Sequence, residues 1–145
     1  MAMEIKRITK VDSELANQIN LILDEGTTWD KHQGDLFTKN PDNLLLLAFE
    51  DNKPVGFLTA HRLQRFDKRR AEVLLYEMGV GQDYRKKGIG KALIEECKIW
   101  AKEIGADEVW VLTEKDNIPA MAMYQATGAK EEASGTIMWV YKIKQ

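Results

Sequence analysis

An α/β layer fold with a mixed central sheet flanked by helices is what the sequence predicts, and three observations predict it. The run Leu44-Leu45-Leu46-Leu47-Ala48-Phe49 is short, wholly apolar and bounded by turn residues, the pattern of a buried strand. Glu72 to Val80 places apolar residues on both faces, as a central strand does. Directly after it, Gly88 to Ile104 aligns Leu93, Cys97, Trp100, Ala101 and Ile104 on one helical face.

The other elements follow in order. Met3 to Thr9 alternates enough for a first strand. Asp12 or Ser13 then caps a helix with Leu15, Ile19, Ile22 and Leu23 at helical spacing, stopped by Gly26. Trp29 to Phe37 reads as a short second helix. Asp51-Asn52-Lys53-Pro54 is a hairpin turn into a strand from Val55 to Leu63, and Arg65 to Arg70 is a charged loop. Gly105 ends the long helix, and Val109 to Leu112 is a further strand. Asn117 caps a helix with Pro119 in its first turn, where proline is tolerated, and Gly128 marks its exit. Ile137-Met138-Trp139-Val140-Tyr141 supplies one or two final strands. A β-α-α-β-β-β-α-β-α-β order of this kind forms layers around one core.

The chain has 145 residues, so a single domain over residues 1–145 is expected. A domain of that size buries about two-thirds of the surface its unfolded chain exposes, so it needs no disulfide. Its apolar runs fall far short of the ~20 residues of a membrane helix, and its first residues lack the pattern of a signal peptide. The lone Cys97 cannot form an intramolecular disulfide, which makes a cytoplasmic location the expectation.

A net charge of −2 conceals two separated fields. Val11 to Asn43 holds seven acids, including Asp24, Glu25, Asp30 and Asp35, against two lysines. His61 to Lys91 holds nine bases against four acids. Such fields suit a protein that handles one anionic and one cationic ligand, although two ordinary solvated faces would look the same. Nucleic acid is disfavoured as a partner, because the bases are not interleaved with aromatics and the chain is acidic overall.

The chemistry concentrates where the central strand meets the long helix. In Arg85-Lys86-Lys87-Gly88-Ile89-Gly90-Lys91, two glycines let the backbone approach a bulky anion, and the unpaired first-turn amides favour phosphate. Two familiar glycine loops are excluded. A P-loop requires Ser or Thr after its lysine, where this chain has Ala92. A dinucleotide fingerprint requires a small third residue, where this chain has Leu93.

The same segment resembles the pyrophosphate loop of the GNAT acetyltransferase superfamily, Gln/Arg-x-x-Gly-x-Gly/Ala. Asn117 to Tyr124, followed by Gly128-Ala129, is similar to that family's Asn-x-x-Ala-x-x-x-Tyr and Gly-Phe; the departure is Ala129, where an aromatic is usual. The resemblance covers nearly the whole chain and implies the GNAT fold, with acetyl-CoA as acetyl donor and no metal. It implies that backbone groups of Met78, Gly79 and Val80 pair with the pantetheine arm. Amides of Arg85, Lys86, Lys87, Gly88, Ile89, Gly90 and Lys91 would cradle the pyrophosphate, and Asn117 and Ala120 would lie along the cofactor. Tyr124 corresponds to the residue that protonates the departing thiolate and also borders the cofactor. Homodimers through C-terminal strands occur in the family, so a homodimer is one assembly that the resemblance allows.

Several residues carry competing readings. Asn117 is equally well explained as a plain helix cap, and Tyr124 could be a core aromatic beside Met121 and Met123. Glu77 lies in a strand that reads as buried, where an ionised carboxylate needs a partner, a raised pKa or a cavity. A raised pKa would suit a base taking a proton from an ammonium substrate; a structural ion pair is the alternative. Trp29, Asp30, Asp35 and Glu77 are the candidate acceptor-binding residues, with core packing the competing role for Trp29. Cys97 reads as an inert core residue, and His32 and His61 stand apart from any cluster of metal ligands.

The acceptor expected from these charges is a cationic small-molecule amine. The stretch Arg70 to Glu77 and the region around Asn117 look like the aminoglycoside 3-N-acetyltransferases within the family. A polyamine, an amino acid, a protein N-terminus or lysine, or a non-catalytic acyl-CoA sensor are the alternatives.

Overall fold

A computed structural model describes residues 3–23, 29–132 and 135–144. Five strands form one sheet in the order β1 (Met3–Arg7), β2 (Asn43–Glu50), β3 (Lys53–Leu63), β4 (Ala71–Val80) and β5 (Ala106–Trp110). The first four pair antiparallel, and β5 lies parallel to β4. The helices are α1 (Ser13–Leu23), α2 (Lys31–Lys39), α3 (Ile89–Glu103) and α4 (Ile118–Ala126). The expected α/β architecture with a mixed sheet is therefore observed.

The apolar run in β2 is explained by burial on both faces. Leu44, Leu46 and Ala48 pack with Leu58, Ala60 and the inner side of α3. Leu45 and Leu47 pack on the opposite face with Phe57 and with Ala16 and Ile19 of α1. Both Asp51 and Asn52 have positive φ, 51° and 65°, which is the geometry of a two-residue turn that follows the twist of its strands. Asp12 proves to be the cap of α1, its Oδ1 accepting from the Leu15 N–H at 2.8 Å. The side chains of Ile22 and Leu23 and the stop at Gly26 lie outside the described residues.

Three boundaries differ from the sequence reading. Asp30 accepts from the Gln33 N–H, so α2 begins at Lys31 and leaves Trp29 outside it. β5 spans Ala106–Trp110 and not Val109 to Leu112, and it pairs with β4 from Ala71 to Leu74. Residues 137–141 form no strand in the described structure; Trp139 is 81% exposed, and a β-type pattern without a partner strand does not make a sheet.

Two core positions give direct tests. Gly34 is buried in α2, and a Cβ there would lie 2.6 Å from the Cβ of fully buried Val11. The overlap outweighs the helix propensity gained from alanine, so Gly34→Ala should lower stability by about 1–2 kcal/mol net, read from the urea midpoint. Cys97 is fully buried on α3, and desolvation pushes its thiol up to about 12. It should react with an aromatic disulfide reagent at pH 8 only after denaturation, and fast labelling of the native protein would contradict its placement.

Candidate active site

The candidate site lies where the sheet loses its last strand. β5 follows β4 from Ala71 to Leu74 and ends at Trp110, whereas β4 continues to Val80. Beyond Leu74 that edge of β4 has no strand partner among the described residues. Opposite it, Thr59 pairs with Glu77 and Ala60 with Leu75, so Tyr76 is an extra residue, a β-bulge. A bulge sharpens the local twist of β4 at the point where its pairing with β5 has ended. The open segment displays Met78, Gly79 and Val80, all half-buried.

Below the open edge lies the start of α3. Gly88 caps it with φ 82°, in the left-handed region that favours glycine, and a Cβ there would meet nothing within 4 Å. The first-turn amides of Ile89, Gly90 and Lys91 follow, before the helical bond from Ala92 N to Gly88 O at 3.0 Å. Gly90 has a different reason to be glycine: a Cβ would lie 2.7 Å from Met123 Sδ, so this position lets α4 approach α3. Met78, Val80, Met123 and Tyr124 pack against the same core cluster as Ile89, which brings the central strand, loop and α4 candidates together.

The bases around the loop are not equivalent. Arg85 donates from Nε to the Val80 carbonyl at 3.1 Å, tying the loop back to β4. The Lys87 ammonium sits 3.9 Å from Glu50, whose side chain is 9% exposed, and 5.3 Å from the Tyr84 ring centroid. Lys86 and Lys91 are exposed and have no ion pair among the described residues.

On α4, Asn117 is a helix cap, its Oδ1 accepting from the Ala120 N–H at 3.2 Å. Tyr124 is half-buried; desolvation raises its phenol above the ordinary value, and its hydroxyl has no hydrogen bond among the described residues. Such a phenol holds its proton until it meets a strong base.

The opposite face of the sheet carries an aromatic row that sequence reasoning did not assemble. Trp29 meets Phe57 edge-on at 5.7 Å between centroids. The His61 ring lies between Phe37, at 5.6 Å, and Tyr76, at 5.5 Å. Asn20 clamps Trp29 through both amide atoms at 2.8 Å. Strand alternation places Glu77 on this face, with its register partner Thr59. Unlike the buried setting inferred from its neighbours, Glu77 is exposed, although β4 is still paired with β3 at that point. Asp30 is occupied as a cap, and Asp35 is paired with Lys31 at 2.7 Å, which holds its carboxyl below the usual range. Asp24 and Glu25 lie outside the described residues.

The pattern of the Acetyltransferase (GNAT) family matches residues 15–129. The chain belongs to the GNAT acetyltransferase family. It is 36% identical over 94 residues to a mycothiol acetyltransferase of Clavibacter sepedonicus, covering 65% of this chain and 29% of that protein. It is 31% identical over 85 residues to human N-acetyltransferase 8, covering 59% of this chain and 37% of that protein. This chain thus spans about three-tenths to two-fifths of these GNAT relatives.

The aminoglycoside acetyltransferase meta-AAC0020, from an uncultured soil metagenomic sample and in complex with sisomicin, superposes with a TM-score of 0.85. That match covers 98% of this chain and 97% of the other at 23% identity. The aminoglycoside N-acetyltransferase AAC(6')-Iy in complex with CoA matches with a TM-score of 0.79 at 17% identity, covering 97% of this chain and 95% of that one. At those identities the likeness shows the shared GNAT fold. Among the described residues no cluster of His, Cys, Asp or Glu is arranged to hold a metal ion, and no helix is long and apolar enough to cross a membrane.

Proposed function

We propose that this protein is an N-acetyltransferase that moves an acetyl group from acetyl-CoA to a primary amine of a cationic small molecule, an aminoglycoside being the favoured acceptor. The open edge of β4 carries this reading. On one side it meets a helix start with unpaired amides and basic side chains; on the other lie Glu77 and the aromatic row.

The residues fit the donor. The edge of β4 at Met78, Gly79 and Val80, which β5 does not reach, suits the amides of a pantetheine arm. The amides of Gly88 to Lys91, with Lys86 and Lys91 beside them, suit a pyrophosphate. Arg85 and Lys87 hold the loop in place, through Val80 and Glu50. Acetyl-CoA, when bound, supplies an acetyl thioester, from which the amine displaces the thiol as a C–N bond forms and the C–S bond breaks.

Glu77 takes a proton from the incoming ammonium, directly or through water, which frees the nitrogen lone pair. The Tyr124 hydroxyl gives its proton to the departing sulfur, and the second proton that the nitrogen sheds as the amide forms passes to solvent, from which the phenolate is reprotonated. A backbone N–H at the open edge polarises the carbonyl. Aromatic faces with a carboxylate beside them suit a cationic, polyhydroxylated acceptor.

Thiol release from acetyl-CoA, measured against aminoglycosides, polyamines, amino acids and short peptides, tests the proposal. Turnover is expected with the polycationic small molecules. Turnover confined to peptides would move the acceptor to a protein, and acetyl-CoA binding without turnover would identify a sensor. The phenol shift adds a pH expectation. Burial raises the Tyr124 pKa, so the loss of rate on its ionisation should come above about pH 10, the ordinary phenol value. The same shift removes stability as pH rises from that ordinary value through the folded one, because the unfolded chain ionises first.

A further inference from the structure

His61 has no part in the reading above, and its surroundings specify which of its nitrogens carries a proton. Asn43 is its register partner across β2 and β3. The Asn43 side chain donates from Nδ2 to the Phe37 carbonyl at 3.1 Å, which orients the amide and points Oδ1 at His61 Nδ1, 2.8 Å away. A carbonyl oxygen only accepts, so Nδ1 carries the hydrogen. The neutral imidazole then keeps a lone pair on Nε2. That nitrogen belongs to a half-buried side chain whose ring meets Tyr76 of β4. It has no hydrogen bond among the described residues. The ring is fixed from two sides by Phe37 and by the bulge residue Tyr76, itself 60% exposed beside Glu77.

We propose that His61 Nε2 is a specificity-determining hydrogen-bond acceptor for a second ammonium or hydroxyl group of the acceptor, and that Asn43 is the positioning residue that locks the tautomer. The inference rests on the acceptor lying against the aromatic face. A fixed lone pair receives donors, and a polyamine or an aminoglycoside is rich in donors. An acceptor with a single amine and no other donor gains nothing from it. The β-bulge also acquires a role here, since it supplies the Tyr76 ring that holds the imidazole on the acceptor face.

The test begins with the intact protein labelled with 15N-histidine. The His61 resonances should report the Nδ1–H tautomer, and adding sisomicin or spermidine should move the Nε2 resonance. Nε2–H as the resting form, or an Nε2 resonance indifferent to both compounds, would overturn the proposal whether or not any amine is acetylated. Failure of acetyl transfer alone would count against the function proposed above and leave this readout intact. In Asn43→Ala the tautomers should mix and the Nε2 response should weaken. In His61→Phe, which keeps an aromatic ring between Phe37 and Tyr76, the KM for the polycationic acceptor should rise about tenfold. Its kcat and the KM for acetyl-CoA should stay within about twofold of wild type, since the lost hydrogen bond is made to the acceptor alone. An unchanged acceptor KM in His61→Phe would show that only the ring matters and would overturn the assignment.

Discussion

Replacing Tyr124 with phenylalanine should lower kcat about 100-fold while the urea midpoint and acetyl-CoA affinity stay nearly unchanged. The variant removes one oxygen and keeps the ring that packs against the core shared by α3 and α4. Were Tyr124 only a core aromatic, this change would be close to silent, because its hydroxyl has no hydrogen bond among the described residues and nothing would be left unpaired. Tyr124→Ala asks the other half of the question. It removes the ring as well and should cost about 2–4 kcal/mol of stability, measured by urea denaturation. A thiolate leaving group is of similar basicity to a phenol, so the missing proton should appear in kcat and not in the KM for acetyl-CoA. An unaltered kcat in Tyr124→Phe would remove the residue from the chemistry.

The contrast between the two residues proposed for proton transfer shows what a linear sequence conveys. Tyr124 follows Asn117 at a fixed helical spacing, and α4 forms there because Asn117 caps it and Pro119 sits at its start. Local patterns of that kind survive in the chain. The apolar run of β2 and the inner stripe of α3 are legible for the same reason, since burial on known faces dictates their composition. Glu77 differs. It lies beyond the last β5 pairing, at Leu74, and next to a bulge that arises only when β3 and β4 pair. Neither event leaves a periodicity around Glu77, whose apolar neighbours suggested burial. The aromatic row was hidden similarly, because Trp29, Phe37, Phe57, His61 and Tyr76 come from four separate segments. Asp30 and Asp35 illustrate the opposite limit: their charge was visible, but the helix cap and the Lys31 pair that engage them were not.

Glu77→Gln should lower kcat/KM for a cationic acceptor about 100-fold at pH 7, and the deficit should narrow as the pH is raised. The reason lies in the nucleophile. Near neutrality an aliphatic amine is mostly an ammonium and must lose a proton before its nitrogen can attack. A carboxylate on the acceptor face of β4 receives that proton, and glutamine cannot. At higher pH the solvent performs the same deprotonation and the side chain becomes dispensable. A carboxylate that merely attracts the cation behaves differently. Its loss would raise the acceptor KM across the whole range where the amine stays charged, and kcat would be preserved. The exposure of Glu77 makes the experiment clean, since an exposed side chain can be exchanged for its amide with little effect on folding, to be checked by the urea midpoint. It also changes the physical account of the base. In the proposed mechanism its effectiveness comes from position, on the part of β4 that β5 does not reach, two residues before Gly79. The bulge at Tyr76 lies beside that position, so the pH-dependent rescue of Glu77→Gln tests the geometry of the open strand as directly as it tests the carboxylate.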